Sequence, residues 1–148
     1  MFYKPKHYKT FEVLPPSIVC APNDWETAYK FIDERVMISA DQIRDFFGTP
    51  CYSNTYHESL SDIWEILGKR TDSGYRPPYC HTGAANSTHK YGRGLDNIVL
   101  GIHPAEVIKT IIKNQERFPL ITRIENIKTH LHFDVRCCFH HGIYLFNP

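Results

Sequence analysis

The 148-residue sequence lacks a long apolar run and lacks a continuous apolar segment near its start. A transmembrane helix needs roughly 20 consecutive apolar residues, and a secretion signal needs an apolar core that residues 1–11 do not contain. We therefore expect no transmembrane segment and a cytoplasmic protein. If such a protein acts at a cell wall, another component must carry it there.

An excess of charge of either sign is also missing. The 17 Lys and Arg residues are balanced by 16 Asp and Glu residues, so the formal net charge is +1. A nucleic acid is normally held by a strongly basic surface. Nucleic acid is therefore not an expected partner.

The sequence contains no Cys-x-x-Cys pair, and its five cysteines cannot all pair within one chain. Reduced thiols are the simpler interpretation. A hydrophobic content of 42% and a charged content of 22% are typical of a globular protein. The length suits one domain spanning residues 1–148, which we expect to be a monomer. The nine histidines are many for this length and make metal chemistry a realistic option.

Helical periodicity dominates the first third of the chain. Apolar residues at helical spacing predict a helix from Asp24 to about Met37. Ser39, followed by Gln42 three residues later, predicts the capped start of a second helix, and Gly48 predicts its end.

Loops and strands dominate the rest. After a third helix stopped by Gly68, residues 71–94 are rich in Gly and Pro and predict a long, functional loop. Pro104 predicts the first turn of a fourth helix. The predicted strands are 51–53, 95–100, 120–124, 129–136 and 143–146, with the last two joined through His140 and His141 in a hairpin. This order predicts an α+β fold in which a central, mainly antiparallel sheet is flanked by helices.

Three polar residues alternate with apolar ones in the predicted strand 129–136. His130, His132 and Asp134 should share one face, because successive side chains of a strand point to opposite faces. Side chains two residues apart stand roughly 6 to 7 Å apart, so one histidine can bind a metal while its neighbour acts on a coordinated water. A solvated polar face is the alternative.

A second segment favours the metal interpretation. Between His89 and Asp96, Gly92 and Gly94 allow a tight turn that can bring an imidazole and a carboxylate together. This pair of groups suits zinc, which then needs a third ligand.

Together these segments resemble the zinc D-Ala-D-Ala carboxypeptidases and related phage endolysins, whose fold is shared with lysostaphin-type peptidases and the hedgehog signalling domain. The family pattern is Ser-x-His, then Gly-x-Ala, an Asp seven residues after the histidine, and a later His on a strand. The matching residues are Ser87, His89, Gly92, Asp96 and His132. The resemblance is specific from residue 73 to 136 and looser back to about residue 11. Gly94 replaces the family's alanine, a departure that is conservative in size.

The resemblance implies a zinc-dependent metallopeptidase that hydrolyses peptide bonds of bacterial peptidoglycan through a zinc-bound water. It would act on stem peptides, either as a D-Ala-D-Ala carboxypeptidase or as an endolysin-type endopeptidase. One zinc ion would be held by His89, Asp96 and His132, and His130 would assist the water and the transition state. A phage origin would place the protein in the host cytoplasm before its release toward the wall.

The family also implies substrate contacts. The segment Ser73-Gly74-Tyr75-Arg76 matches a Ser-Gly-Tyr-Arg element whose arginine is expected near the substrate. Arg76 is therefore expected to orient the peptide and to act in catalysis. Tyr75 and Ser87 are the other expected substrate-binding residues.

Several roles stay open at this point. Some branches of the family use a carboxylate three residues before the last ligand as the base, where this chain has Thr129. Glu125 is an alternative base, although its position favours a surface salt bridge with Arg123. Asp134 could orient a metal ligand by a hydrogen bond to it, without binding the metal itself. The alternative function is a zinc-stabilised binding module or phage structural module of the same fold, without hydrolysis.

Overall fold

The computed structural model describes residues 1–18, 20–136 and 141–148 of the chain. One sheet has five strands in the order β1-β2-β4-β3-β5, and every neighbouring pair is antiparallel except β3 with β5. The strands are β1 (Cys51–Tyr52), β2 (Gly94–Val99), β3 (Arg123–Glu125), β4 (Leu131–Asp134) and β5 (Tyr144–Phe146). The α-helices of the described residues are α1 (Trp25–Ala28), α2 (Glu34–Phe47), α3 (Trp64–Leu67) and α4 (Pro104–Lys113). The predicted α+β class with a mainly antiparallel sheet is confirmed.

Four short 3₁₀ segments complete the regular structure of the described residues: Thr10–Glu12, Glu58–Ile63, Thr88–Tyr91 and Gln115–Arg117. Among these residues, no helix combines the length and the apolar character that crossing a bilayer requires.

The two faces of the sheet have different chemistry. On one face, Leu95 of β2 stands opposite Phe133 of β4, and both are buried in a core that also contains the apolar sides of α2 and α4. On the other face, Asp96 stands opposite His132. The alternation along the strand therefore separates the apolar core from a polar site, as the sequence predicts.

Helix α2 begins earlier than predicted. Asp33 has extended backbone angles, and its carboxylate accepts a hydrogen bond from the Arg35 amide at 3.0 Å, which caps the helix at Glu34. The predicted capping box at Ser39 is wrong, because Ser39 lies buried inside α2. The break before α2 is fixed by the Asp33 amide, which donates to the carbonyl of Gly92 at 2.8 Å.

The helix predicted from Asp24 to about Met37 is wrong, because α1 ends at Ala28 and Met37 lies inside α2. Three other helix boundaries agree with the prediction. Gly48 ends α2 with φ of 64°, a left-handed conformation that glycine adopts without steric cost. Gly68 ends α3 with φ of 69°, although a 3₁₀ segment precedes this short helix. Pro104 opens α4, where His103 caps the first turn by accepting from the Ala105 amide at 3.2 Å.

The predicted hairpin between the last two strands is wrong. Strand β5 pairs in parallel with β3, with Arg123 opposite Tyr144 and Ile124 opposite Leu145. The reason is topological: β4 already has β2 on one edge and β3 on the other, so no edge of β4 is free for a hairpin partner, and β5 joins the sheet at the free edge of β3. Of the predicted turn residues, His141 is exposed and His140 lies outside the described residues.

Candidate metal centre

Three buried side chains converge on one point above the polar face of the sheet. His89 Nε2 lies 3.1 Å from Asp96 Oδ1 and 3.1 Å from His132 Nδ1, and His132 Nδ1 lies 2.7 Å from Asp96 Oδ1. His89, Asp96 and His132 thus form a group that could hold a metal ion. These are the three residues predicted as ligands.

Two of the three are brought together by strand register. Asp96 on β2 and His132 on β4 are direct cross-strand partners in the antiparallel pair, and directly opposed side chains stand close together on one face. The third arrives from the Thr88–Tyr91 segment, which ends at Gly92 with φ of 64°. A side chain at Gly92 would collide with the carbonyl of Phe31 at 1.9 Å, so glycine is required both for the turn and for the close approach.

The orientation of His89 suits a metal ligand. Its Nδ1–H donates to the carbonyl of Gly74 at 2.7 Å, which leaves the lone pair of Nε2 directed at the group. Burial lowers the pKa of His89, although the Asp96 carboxylate beside it opposes this effect. The imidazole is therefore neutral at pH 7, the form that binds metals.

Asp96 is the hub of the cluster. Burial would raise its pKa, but the close contacts with the imidazoles of His130, His132 and His89 outweigh burial and hold the pKa of Asp96 well below its usual range. Arg76 also donates from Nη2 to Asp96 Oδ2 at 2.9 Å. The carboxylate is therefore ionised, with Oδ1 turned toward the histidines and Oδ2 held by the guanidinium.

Arg76 has a more internal position than the expected substrate-binding arginine. Besides the contact with Asp96, its Nε donates to the carbonyl of Asp72 at 2.6 Å, and the residue is buried. It lines the cleft described below. Its clearest contact is with a candidate ligand, so it positions Asp96.

The segment Ser73-Gly74-Tyr75-Arg76 is pinned on several sides by backbone hydrogen bonds. The Tyr75 amide donates to the carbonyl of Val13 at 2.8 Å, the Arg76 amide to the carbonyl of His89 at 3.1 Å, and the Asp96 amide to the carbonyl of Ser73 at 2.7 Å. A Cβ at Gly74 would lie 2.0 Å from the carbonyl oxygen of Val13. The motif therefore acts as a frame that joins the loop to both His89 and Asp96.

His130 stands beside the candidate ligands. Its Nε2 lies 3.3 Å from Asp96 Oδ1, its Nδ1 lies 2.8 Å from Thr129 Oγ1, and its side chain is 18% exposed. It belongs to the cleft lining, whereas the group that could share one ion consists of His89, Asp96 and His132. His130 and His132 therefore lie on the same side of the sheet, both beside Asp96 Oδ1, as predicted.

A cleft of about 390 Å³ lies over the cluster. Among the predicted site residues, Ser87 and Glu125 line it together with His130. Tyr75 is not in the lining formed by the described residues; its ring packs against Phe31 at a centroid distance of 5.5 Å. The structure therefore brings all predicted site residues but Tyr75 to one cleft.

Two predicted supporting roles are wrong. In the described part of the chain Arg123 and Glu125 form no ion pair, because the Arg123 guanidinium lies 4.0 Å from the ring centroid of Phe146. Asp134 does not contact a candidate ligand among the described residues. Its carboxylate instead accepts from Arg136 Nε at 3.2 Å and from Thr122 Oγ1 at 3.4 Å.

Gly94 is more than a conservative replacement. A Cβ at this position would lie 2.5 Å from Thr88 Oγ1, 3.1 Å from Thr88 Cβ and 3.2 Å from His132 Cε1. Because Gly94 has no side chain, Thr88 and His132 can both lie close to its backbone.

Two cleft residues are missing from the sequence-based prediction. Arg136 lines the cleft and continues the alternation that singles out His130, His132 and Asp134, so the same pattern could have found it. Phe146 also lines the cleft, and its ring meets the His132 ring edge-on at 6.3 Å. No pattern in the sequence indicates Phe146, because its position depends on the parallel pairing of β5 with β3.

Comparison of the chain with protein-family models, with curated proteins and with solved structures finds no match. The case for a function therefore depends on the site and on the motifs of the chain itself.

Proposed function

We propose that this protein is a zinc-dependent metallopeptidase that hydrolyses peptide bonds in bacterial peptidoglycan. The observation that carries the proposal is the convergence of His89 Nε2, Asp96 Oδ1 and His132 Nδ1 within 2.7 to 3.1 Å of one another. The lone pairs of buried imidazoles and a carboxylate repel one another at such distances unless protons or a metal ion lie between them. A metal ion bound by all three groups removes this repulsion.

Zinc fits the donor set and the spacing. Zinc bonds to His nitrogen and carboxylate oxygen are about 2.0 to 2.1 Å long, so two ligand atoms of a tetrahedral site lie about 3.3 Å apart. Two of the distances in this group, both 3.1 Å, are close to this value, and the third, 2.7 Å, is shorter. Two His and one carboxylate, with a fourth position open to solvent, are a pattern of catalytic zinc sites.

The surrounding residues have the chemistry that peptide hydrolysis requires. A zinc ion held here would supply a Lewis acid for a carbonyl oxygen and would make water more acidic. His130, at the cleft surface, takes a proton from the attacking water and returns it to the leaving amine when the C–N bond breaks. Arg76 keeps the Asp96 carboxylate in place, and Ser87 offers a hydroxyl to the peptide.

The choice of peptidoglycan comes from the motifs. Ser87, His89 and Asp96 keep the family spacing, and the Ser-Gly-Tyr-Arg element lies against two of them through the Gly74 and Ser73 carbonyls. This coupling gives the upstream motif a physical reason to occur together with the ligands. D-Ala-D-Ala carboxypeptidase and endolysin-type endopeptidase activities both agree with this site.

The test is digestion of purified peptidoglycan and soluble muropeptides by the zinc-loaded chain, with products identified by mass spectrometry. The proposal predicts new amino termini or released D-Ala. His130→Gln should keep its zinc and lose activity by roughly a hundredfold, whereas His141→Gln, at an exposed position, serves as the matched control. A zinc-loaded protein that cleaves no wall peptide would refute the proposal and favour the non-catalytic zinc module.

A further inference from the structure

The cleft contains two arginines that differ in availability. Arg76 is buried, and its Nε and Nη2 donate to the Asp72 carbonyl and to Asp96. Arg136 also lines the cleft, but its side chain is 34% exposed. Recognition of an anionic ligand is therefore easier to assign to Arg136 than to the arginine of the Ser-Gly-Tyr-Arg motif.

Arg136 is held in place by one side of its guanidinium. Its Nε donates to Asp134 Oδ2 at 3.2 Å, and its backbone amide lies 3.3 Å from Asp134 Oδ1. Within residues 1–18, 20–136 and 141–148, the structure gives the terminal nitrogens no hydrogen bond to a protein acceptor. A guanidinium has five N–H donors in a planar fork, so the contact with Asp134 leaves the fork able to receive a carboxylate.

Asp134 provides a rigid support for this arrangement. Its side chain is fully buried, and Thr122 Oγ1 lies 3.4 Å from Oδ1. Asp134 also follows His132 by two residues on β4, so both side chains are on the polar face of the same strand. The strand thus carries a candidate metal ligand and, next to it, the support of the arginine.

We propose that Arg136, oriented by Asp134, binds a carboxylate of the peptide close to the bond that is cleaved. The inference depends on the proposed function for the identity of the ligand as a peptide. It assigns substrate selection to a residue outside the motifs that resemble the peptidase family. The carboxylate is either the C-terminal group of the substrate or an acidic side chain, since both offer the same bidentate acceptor.

Glu125 is the other charged residue of the cleft lining whose charge must be considered. A carboxylate ligand would be repelled by Glu125 and attracted by Arg136. Neutralising Glu125 should therefore preserve or increase the preference for an anionic peptide, whereas neutralising Arg136 should remove it. This opposite response separates a specific contact from a general effect of charge.

The experiment is an NMR titration of the zinc-loaded full chain with three peptides. They are N-acetyl-D-alanyl-D-alanine, its C-terminal amide, and an amidated N-acetyl-alanyl-glutamate that carries only a side-chain carboxylate. Protein shifts report affinity, and ligand signals in the same samples report any hydrolysis. The variants are Arg136→Met, Glu125→Gln and, as a matched loss of a cation, Arg117→Met, which lies in a separate cavity beside Phe118.

The wild-type protein should bind at least one of the acidic peptides at least about tenfold more tightly than the neutral amide, as expected for a charge-assisted pair. Arg136→Met should abolish this preference with zinc content and affinity for the amide unchanged, while Arg117→Met and Glu125→Gln keep it. The acidic peptide that binds more tightly identifies the source of the carboxylate.

Equal wild-type affinities, a preference that persists in Arg136→Met, or an equal loss for acidic and neutral peptides would overturn the inference. Hydrolysis is read separately. A carboxylate preference that depends on Arg136 without cleavage of any wall peptide would leave the role of Arg136 standing and remove the peptidase.

Discussion

Replacement of Gly94 by alanine tests the packing beneath the candidate ligands. The added methyl would lie 2.5 Å from Thr88 Oγ1 and 3.2 Å from His132 Cε1, so Thr88 or His132 must move. Overpacking of this kind costs about 1 to 3 kcal/mol, whereas Gly→Ala in an unhindered strand would stabilise by about 0.5 to 1 kcal/mol. We expect a net loss of about 1 kcal/mol in the free energy of unfolding.

The partner of the clash can be identified by a double-mutant cycle. Thr88→Ala removes the closest atom, so Gly94→Ala should cost about 1 kcal/mol less in that background. Thr88→Val keeps the shape of threonine and is the matched control, because its methyl occupies the space of Oγ1 and should give no rescue.

The assay is urea unfolding of the zinc-free protein, accompanied by zinc titration of each variant. Because His132 is among the contacts, Gly94→Ala should also weaken zinc binding, and Thr88→Ala should restore part of it. A fully stable Gly94→Ala protein, or equal rescue by alanine and valine at position 88, would refute the packing argument.

Two further predictions concern Glu12 and Arg76. Burial raises the pKa of Glu12 from 4.5 to about 7. At a pH between these two values, Glu12 is protonated in the folded state and ionised in the unfolded state. The free energy of unfolding should therefore fall by up to about 3 kcal/mol as the pH rises through this window. Thermal unfolding of Glu12→Gln between pH 4 and 8 should lack this fall. The same dependence of stability on pH in Glu12→Gln and in the wild type would contradict the assignment. Arg76→Gln removes the hydrogen bond from the guanidinium to Asp96 Oδ2 and should weaken zinc binding about 10- to 100-fold. The zinc affinity is measured by competition with a chelator. An unchanged zinc affinity would show that Arg76 does not position the ligand.

Local patterns account for the part of the site that could be predicted. The alternation of His130, His132 and Asp134 with apolar residues places the polar group on one face, and the structure has this face. Gly92 marks a turn with positive φ, which brings His89 to Asp96. Both signals depend on backbone geometry over a few residues, which sequence spacing determines directly.

The errors come from contacts between distant segments. The start of α2 depends on a hydrogen bond from Asp33 to Gly92, which outweighs the local capping signal at Ser39. The parallel pairing of β5 with β3 likewise depends on which edges of the sheet are already occupied, and it brings Phe146 into the cleft. A single sequence carries no direct signal for either.

The roles of single side chains were the hardest to predict. Family spacing indicates Arg76 as a substrate contact, which stays a prediction, but gives no signal for the ion pair that Arg76 forms with the buried Asp96. Asp134 has the correct face for supporting a ligand, yet Arg136 and Thr122 take its carboxylate. Spacing along a strand determines the side of the sheet on which a residue lies, while its partner depends on the neighbouring strands.

Whether the three ligands hold an ion is decided by the zinc content of the purified chain after dialysis against trace zinc, determined by atomic emission. We expect one ion per chain in the wild type and in His130→Gln. We expect loss of the ion in His89→Ala, Asp96→Ala and His132→Ala, with folding checked by circular dichroism. A full complement of zinc in folded His132→Ala, or a wild-type protein that binds none, would contradict this expectation.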